Sequence, residues 1–144
     1  MKYIILSCLL LHVFVSAALP PISFLRACAH DHLNRDRTTQ CKIQKLQIDG
    51  NLPNIEEYMK CIFMGYRWFP NRRKPVDVGK LATDIGAPKD QVQKVIDRCE
   101  KDSRNDAGAM DFFVSLLRSS ETKAAFNKFL QEREAKFFKD KLCD

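Results

Sequence analysis

Asn54-Ile55-Glu56-Glu57-Tyr58-Met59-Lys60-Cys61-Ile62-Phe63 reads as one amphipathic helix. Ile55, Tyr58, Met59, Ile62 and Phe63 recur three and four residues apart, the spacing that lines one helical face. Asn54 suits the cap, Glu56 and Glu57 suit the positive end of the helix dipole, and Gly65 loosens the far end. The same pattern continues in both directions. Upstream, residues 22–34 place Ile22, Leu25, Ala29 and Leu33 on one face. Thr38 or Thr39 then caps a short helix carrying Cys41, Ile43, Leu46 and Ile48, which stops at Asp49-Gly50. Downstream, a helix over residues 76–85 ends at Gly86, and another opens at Pro88 with Val92, Val95, Ile96 and Cys99 inward. After a turn at residues 105–108, Met110, Phe113, Val114 and Leu117 form the next stripe. Ser119 or Ser120 caps a long last helix bearing Ala125, Phe126, Phe129, Leu130, Phe137 and Phe138. The expected fold class is all-α, a bundle of about six to eight short helices with no strands.

The 144 residues fit one domain, and 45% hydrophobic with 29% charged residues excludes a disordered or fibrous chain. Met1-Lys2, an apolar run from Tyr3 to Val15 and Ser16-Ala17-Ala18 form a secretory signal peptide, cleaved after Ala17 or Ala18. That run of thirteen residues falls short of the ~20 needed to span a bilayer. The expected division is therefore residues 1–18 as signal peptide and 19–144 as the helical domain. Cleavage leaves five cysteines, Cys28, Cys41, Cys61, Cys99 and Cys143. Outside the cell most should pair, and the odd number leaves at least one without an intrachain partner. Spacing alone does not fix the connectivity.

The sequence carries no convincing catalytic constellation. His30 and His32, two residues apart, lie on different helix faces, a poor metal geometry. Asp77, Asp84, Asp97 and Asp102 lack calcium-loop spacing, and no phosphate loop or nucleophile elbow is present. The chain reads as neither an enzyme nor a metal or cofactor protein. Two compositions stand out instead. Tyr66-Arg67-Trp68-Phe69 followed by Arg72-Arg73-Lys74 could meet an anionic head group, although its blander reading buries Trp68 and Phe69 and leaves the cations solvated. The late phenylalanines, Phe112, Phe113, Phe126, Phe129, Phe137 and Phe138, serve a core or surround an apolar ligand cavity.

At Glu57-Tyr58-Met59-Lys60-Cys61-Ile62 the chain resembles the Cys-x-x-x-Cys helix of the insect odorant-binding protein superfamily, with Glu57 where the first Cys would stand. It is more similar to the short salivary "D-seven" proteins of blood-feeding flies. Their spacing of Cys, twelve residues, Cys, nineteen residues, Cys is met by Cys28, Cys41 and Cys61, with Cys99 and Leu142-Cys143-Asp144 following. Residues 110–116, Met-Asp-Phe-Phe-Val-Ser-Leu, resemble the family's Phe-Tyr-Thr-Cys-Phe-Leu. The resemblance implies bridges 28–61 and 41–143. It also leaves Cys99 unpaired, because its usual partner position holds Ser115.

The resemblance further implies a secreted carrier that sequesters small host mediators, biogenic amines or eicosanoids, and so blunts haemostasis. The family's amine-holding carboxylate pair falls on Gln131 and Glu134, so one charge of the pair is missing. Tyr58, Ile62 and Phe113 match further pocket positions, Phe126 anchors the alignment and lines the cavity, and Lys45 matches a basic residue. Net basic charge and the depleted pair tilt the expected ligand toward an anionic lipid, met by Lys45 or by Arg67, Arg72 and Arg73. Two rival roles follow: an odorant or pheromone carrier, and an inhibitor of a host coagulation or contact-phase protein acting through the basic surface. The expected partners are a small-molecule ligand, with a coagulation protein or anionic surface as the alternative. No nucleic acid and no membrane span are expected, and the chain is expected to be monomeric.

Overall fold

The computed structural model describes residues 21–72 and 75–143. The expected signal peptide therefore lies outside the described residues, as do Arg73, Lys74 and Asp144. Among the described residues there are eight helices and no strand, and two disulfides link them, an odorant-binding-protein-like all-α bundle. The helices are α1 (Phe24–His32), α2 (Arg37–Gln44), α3 (Ile55–Gly65), α4 (Val78–Ile85), α5 (Lys89–Asp102), α6 (Ala109–Arg118), α7 (Lys123–Arg133) and α8 (Ala135–Lys139). None is long and apolar enough to cross a membrane.

Helix α3 is the hub. Its inner residues Tyr58, Met59, Ile62 and Phe63 are fully buried, and it packs on α1 and on α6. Helix α6 in turn meets α5 and α7, α4 meets α5 and α7, and α8 closes against α1. Cys28–Cys61 fastens α1 to α3, and Cys41–Cys143 fastens α2 to the C-terminal segment, with Cα separations of 5.8 and 5.0 Å. Isolated helices this short are marginal in water, so packing and cross-links supply what length does not.

Several boundaries differ from the sequence reading, each for a local reason. Ile22 is 63% exposed and does not share the inner face of α1, because the helix begins after it, with Ser23 as cap. Asp36, not Thr38 or Thr39, caps α2: its carboxylate accepts from the Thr39 amide at 3.0 Å and the Thr39 hydroxyl at 2.6 Å. Asn54 holds the cap position of α3 in a left-handed conformation (φ 55°), and its side chain donates to the His32 carbonyl instead of capping. The long last helix is two helices, broken at Glu134, and it starts after Thr122. Thr122 turns its hydroxyl to the Leu116 carbonyl at 2.9 Å.

Cys99 is free and buried on α5. Burial, foremost, raises its thiol above the ordinary value, while a hydrogen bond with Ser115 acts the other way. A buried thiol held neutral behaves as a small hydrophobe, not a nucleophile. Ser115 is sixteen residues on and in contact with it, so Ser115→Cys should close a third bridge. A loop of that size is worth about 3 kcal/mol in the chain-entropy account. The expected result is loss of the thiol from a denaturing thiol assay together with a higher melting temperature. A variant that keeps two free thiols would contradict the geometry.

Candidate functional site

A ladder of aromatic rings runs from α6 toward the break between α7 and α8. Phe113 meets Phe126 edge-on at 5.0 Å, and Phe126 lies 6.2 Å from Phe129. Trp68 packs against both of those α7 rings, at 6.3 and 5.7 Å, and Tyr66 stacks on Trp68 at 4.6 Å with planes 17° apart. Phe24 and Phe129 close the edges of Tyr66 at 4.8 and 5.2 Å. Such contacts contribute beyond their buried area and fix ring positions. The indole nitrogen of Trp68 donates to Asp84 at 2.9 Å, tying the ladder to α4.

At the end of the ladder sits Glu134, with 0% of its surface exposed. Its carboxylate accepts from the Phe24 amide at 3.0 Å, the Leu25 amide at 3.2 Å, the Ser23 hydroxyl and the Tyr66 phenol. The first turn of α1 is thus capped from the far end of the chain, where the helix dipole favours negative charge. Among the described residues no cationic side chain pairs with it directly, although the half-buried Arg133 guanidinium hydrogen-bonds the Tyr66 phenol beside it. Glu56 offers the contrast. It caps α6 in the same way, accepting from Ala109 and Met110 amides at 2.8 and 3.1 Å, yet it does so at the surface. Capping a helix therefore does not by itself require a buried anion. Glu134 combines a cap with complete burial and an aromatic wall.

The expected site residues separate into two groups. Tyr58, Ile62, Phe113, Phe126 and Glu134 are all buried in one core. The Tyr58 phenol donates to the carbonyl of Leu25 at 3.0 Å, the residue whose amide donates to Glu134. Lys45 and Gln131 are exposed, Lys45 at the C-terminal cap of α2 and Gln131 on the outer side of α7. Neither lines the α4–α7 groove, and the buried aromatics are packed against each other, not arranged around an open cavity. Tyr66 and Ser23 were missed. By composition Tyr66 belongs to the aromatic-basic run, whereas its ring turns inward. Arg67 and Arg72 are exposed and make no ion pair among the described residues.

A groove of about 620 Å³ between α4 and α7 reaches this cluster at Tyr66 and Phe129. Lys80, Asp84, Phe129, Glu132 and Arg133 line it, and Tyr66 stands in its wall. That volume is of the order of small-molecule sites.

Burial, foremost, and the nearby Glu134 charge push the Tyr58 phenol well above its ordinary value; for Tyr66 burial again leads, followed by its hydrogen bond to Glu134. These are the two tyrosines of the segment after residue 18. An acid whose folded-state value is raised lends its stabilisation fully below the unfolded value, about 10 for tyrosine, and loses it as pH rises beyond. Tyrosinate absorbance should therefore stay absent from the native protein through pH of about 10 and appear together with loss of helical circular dichroism. Two phenols titrating near 10 in a still-helical protein would refute the buried placement.

No protein-family model matches the chain. It is 35% identical over 128 residues to "Short form salivary protein D7S1" of Aedes aegypti, covering 85% of this chain and 86% of that protein. It is also 30% identical over 104 residues to "Long form salivary protein D7L1" of Aedes albopictus, covering 68% of this chain but only 31% of that longer protein.

Proposed function

The chain belongs to the D-seven family of salivary proteins, and from that premise we propose that it is a secreted salivary carrier that sequesters a small host mediator. It acts by stoichiometric binding and not by turnover, so its abundance sets its effect on haemostasis. Cleavage after Ala17 or Ala18 releases the helical domain, starting at residue 18 or 19, as the working monomer.

The observation that supports this reading and selects among ligands is Glu134, a buried carboxylate at the end of an aromatic ladder with no cationic partner among the described residues. Buried charges are costly unless paired, and amide and hydroxyl dipoles offset only part of that cost. An alkylammonium ligand supplies the missing charge, and the neighbouring rings favour it through their negative faces. An eicosanoid carboxylate would need a buried cation. Among the described residues no cation is fully buried: Lys45 and Arg67 lie on the surface, and Arg133, half-buried in the groove wall, meets the Tyr66 phenol. The reading thus moves from the anionic lipid suggested by net charge to a biogenic amine. Local burial outweighs a surplus spread over solvent-exposed lysines and arginines.

Calorimetric titration of the refolded mature protein against serotonin, histamine and a cysteinyl leukotriene in one buffer tests the reading. Heat for an amine at a one-to-one ratio is expected. Heat for the leukotriene alone would overturn the amine assignment while leaving a carrier.

A second reading rests on Arg67 and Arg72, exposed and without an ion pair among the described residues, in the segment that continues to Arg73 and Lys74. In it the basic surface blocks a host coagulation or contact-phase protein. Clotting time prolonged by the protein, unaffected by saturating amine and restored to normal by neutralising Arg72, Arg73 and Lys74, would support it. A sensory carrier of odorants is the third role open to this fold, decided by expression in antenna instead of salivary gland.

A further inference from the structure

Tyr66 occupies an unusual position for a core tyrosine. Its ring fills a slot between Trp68, Phe24 and Phe129, and its hydroxyl donates to Glu134 at the inner end of that slot while accepting from the Arg133 guanidinium on the groove side. It is only 6% exposed, yet it stands in the wall of the α4–α7 groove. A flat ring in an aromatic slot with a polar hydrogen at the carboxylate is also the description of an aryl-alkyl amine bound there. Tyr66 follows directly on α3, as its C-terminal cap, and Arg67 after it takes a left-handed backbone (φ 59°). The side chain therefore hangs from a chain segment beyond the helix and not from its middle.

We infer that Tyr66 is a displaceable plug, a built-in occupant of the amine site whose ring and hydroxyl hold the places of the ligand's ring and ammonium. The inference deepens the amine reading above and rests on it for the identity of the natural ligand. When the ligand enters through the groove, the phenol leaves Glu134, the ammonium takes its place, and Ser23 with the Phe24 and Leu25 amides remain on the other lone pairs. No other partner of the carboxylate is as well placed to move. The amides belong to the first turn of α1, which Cys28–Cys61 ties to α3, and Ser23 also caps that turn. The plug keeps the buried carboxylate hydrogen-bonded in the unliganded protein and lowers apparent affinity by the fraction of time it is seated. It also sets specificity, because a ligand must match the slot that Tyr66 fits.

Trp68, the single tryptophan of the chain, stacks on Tyr66 and reports the event directly. Benzylamine, a ring with one methylene-ammonium and no indole, is the probe. Tyr66→Phe keeps the ring and frees the carboxylate from the phenol, so benzylamine should bind about tenfold more tightly than to the wild type, the scale of one hydrogen bond to a charged group. Tyr66→Ala opens the slot itself and should gain at least as much, with p-cresol raising its melting temperature by refilling the slot. In wild type, saturation with benzylamine should change Trp68 emission, and in Tyr66→Ala that change should be smaller.

Equal benzylamine affinity in wild type and both variants would overturn the plug, as would an unchanged Trp68 signal on saturation of the wild type. Should Tyr66→Ala fail to fold, the Tyr66→Phe comparison alone decides. If the wild type binds no natural amine but Tyr66→Phe or Tyr66→Ala binds benzylamine, the plug stands and the amine reading of the natural ligand fails. The two failures are thus distinguishable.

Discussion

Glu134→Ala should lower the unfolding free energy of the mature protein by about 3 kcal/mol, and amine binding should disappear with it. The variant strips the acceptor from two amides, a serine hydroxyl and a phenol in a site closed to water. Each hydrogen bond to a charged group is worth about 1.5–3 kcal/mol, so four of them outweigh the several kcal/mol that burying one carboxylate costs. The balance lies on the side of loss, and the unpaired first turn of α1 adds to it. For a domain of this size about 3 kcal/mol corresponds to a fall in melting temperature of roughly 10 °C. Glu134→Gln separates shape from charge. The amide oxygen can still accept, but its NH₂ faces donors, and the ligand's ammonium loses its counter-charge. Amine binding should be abolished in Glu134→Gln even where most of the fold survives. Urea denaturation and calorimetry on the two variants check both halves. A wild-type urea midpoint in Glu134→Ala would contradict the packing described, and unchanged amine affinity in Glu134→Gln would contradict the assignment of that residue.

The other large effect is expected from the Cys41–Cys143 bridge. It closes a loop of 102 residues, against 33 for Cys28–Cys61. The chain-entropy account gives about 4.7 kcal/mol for the longer loop and about 3.7 kcal/mol for the shorter. Replacing Cys41 and Cys143 together by Ser should therefore cost about 4 kcal/mol, more than the corresponding change at Cys28 and Cys61 in entropy alone. The C-terminal segment keeps other ties, which limit the damage to the native state. The Gln44 amide donates to the Phe137 and Asp140 carbonyls, each at 2.8 Å, and Arg37 donates to the Lys141 carbonyl at 2.6 Å. Arg26 adds an exposed ion pair to Asp140, which contributes little. The double variant should thus fold at low temperature with α8 still docked, and unfold at a lower urea midpoint. A midpoint equal to wild type would show that the bridge does not constrain the unfolded chain.

Much of the fold was legible because it rests on period and punctuation. Ile55, Tyr58, Met59, Ile62 and Phe63 announce α3, and Gly86 and Pro88 bracket the joint between α4 and α5. The caps were harder. Asp36 and Thr39 are both good cap residues, and only the packing, which buries Thr39, decides that Asp36 takes the role. The break at Glu134 left a trace that was not used. Glu134 lies four residues after Leu130 and three before Phe137, so it falls on the apolar stripe of what looked like one helix. A charged residue on an inner face signals either a partner or a bend, and here both occur. What no pattern in the chain reveals is who meets it. Ser23 and Tyr66 are 111 and 68 residues away, and that pairing exists only once α1, α3 and α7 have packed.

The candidate site was therefore read in part. Glu134, Phe113 and Phe126, matched by resemblance, are all buried, with Phe113 and Phe126 at the far end of the ladder from Glu134. Gln131 and Lys45 were drawn in by the same alignment, and packing leaves both in solvent. The helix ends between Gln131 and Glu134, so their spacing no longer puts them side by side. Tyr66 sat in a run of cations and aromatics whose composition pointed outward for the cations and inward for the rings. Trp68 and Phe69 followed the inward reading, and Tyr66 goes with them.

The most direct test is a crystal structure of the mature protein grown with saturating serotonin. The account predicts the ammonium within hydrogen-bonding distance of a Glu134 oxygen, the indole in the slot beside Trp68 and Phe129, and the Tyr66 ring displaced toward the groove. Serotonin bound elsewhere, with Tyr66 still on Glu134 and the carboxylate keeping its four donors, would contradict it.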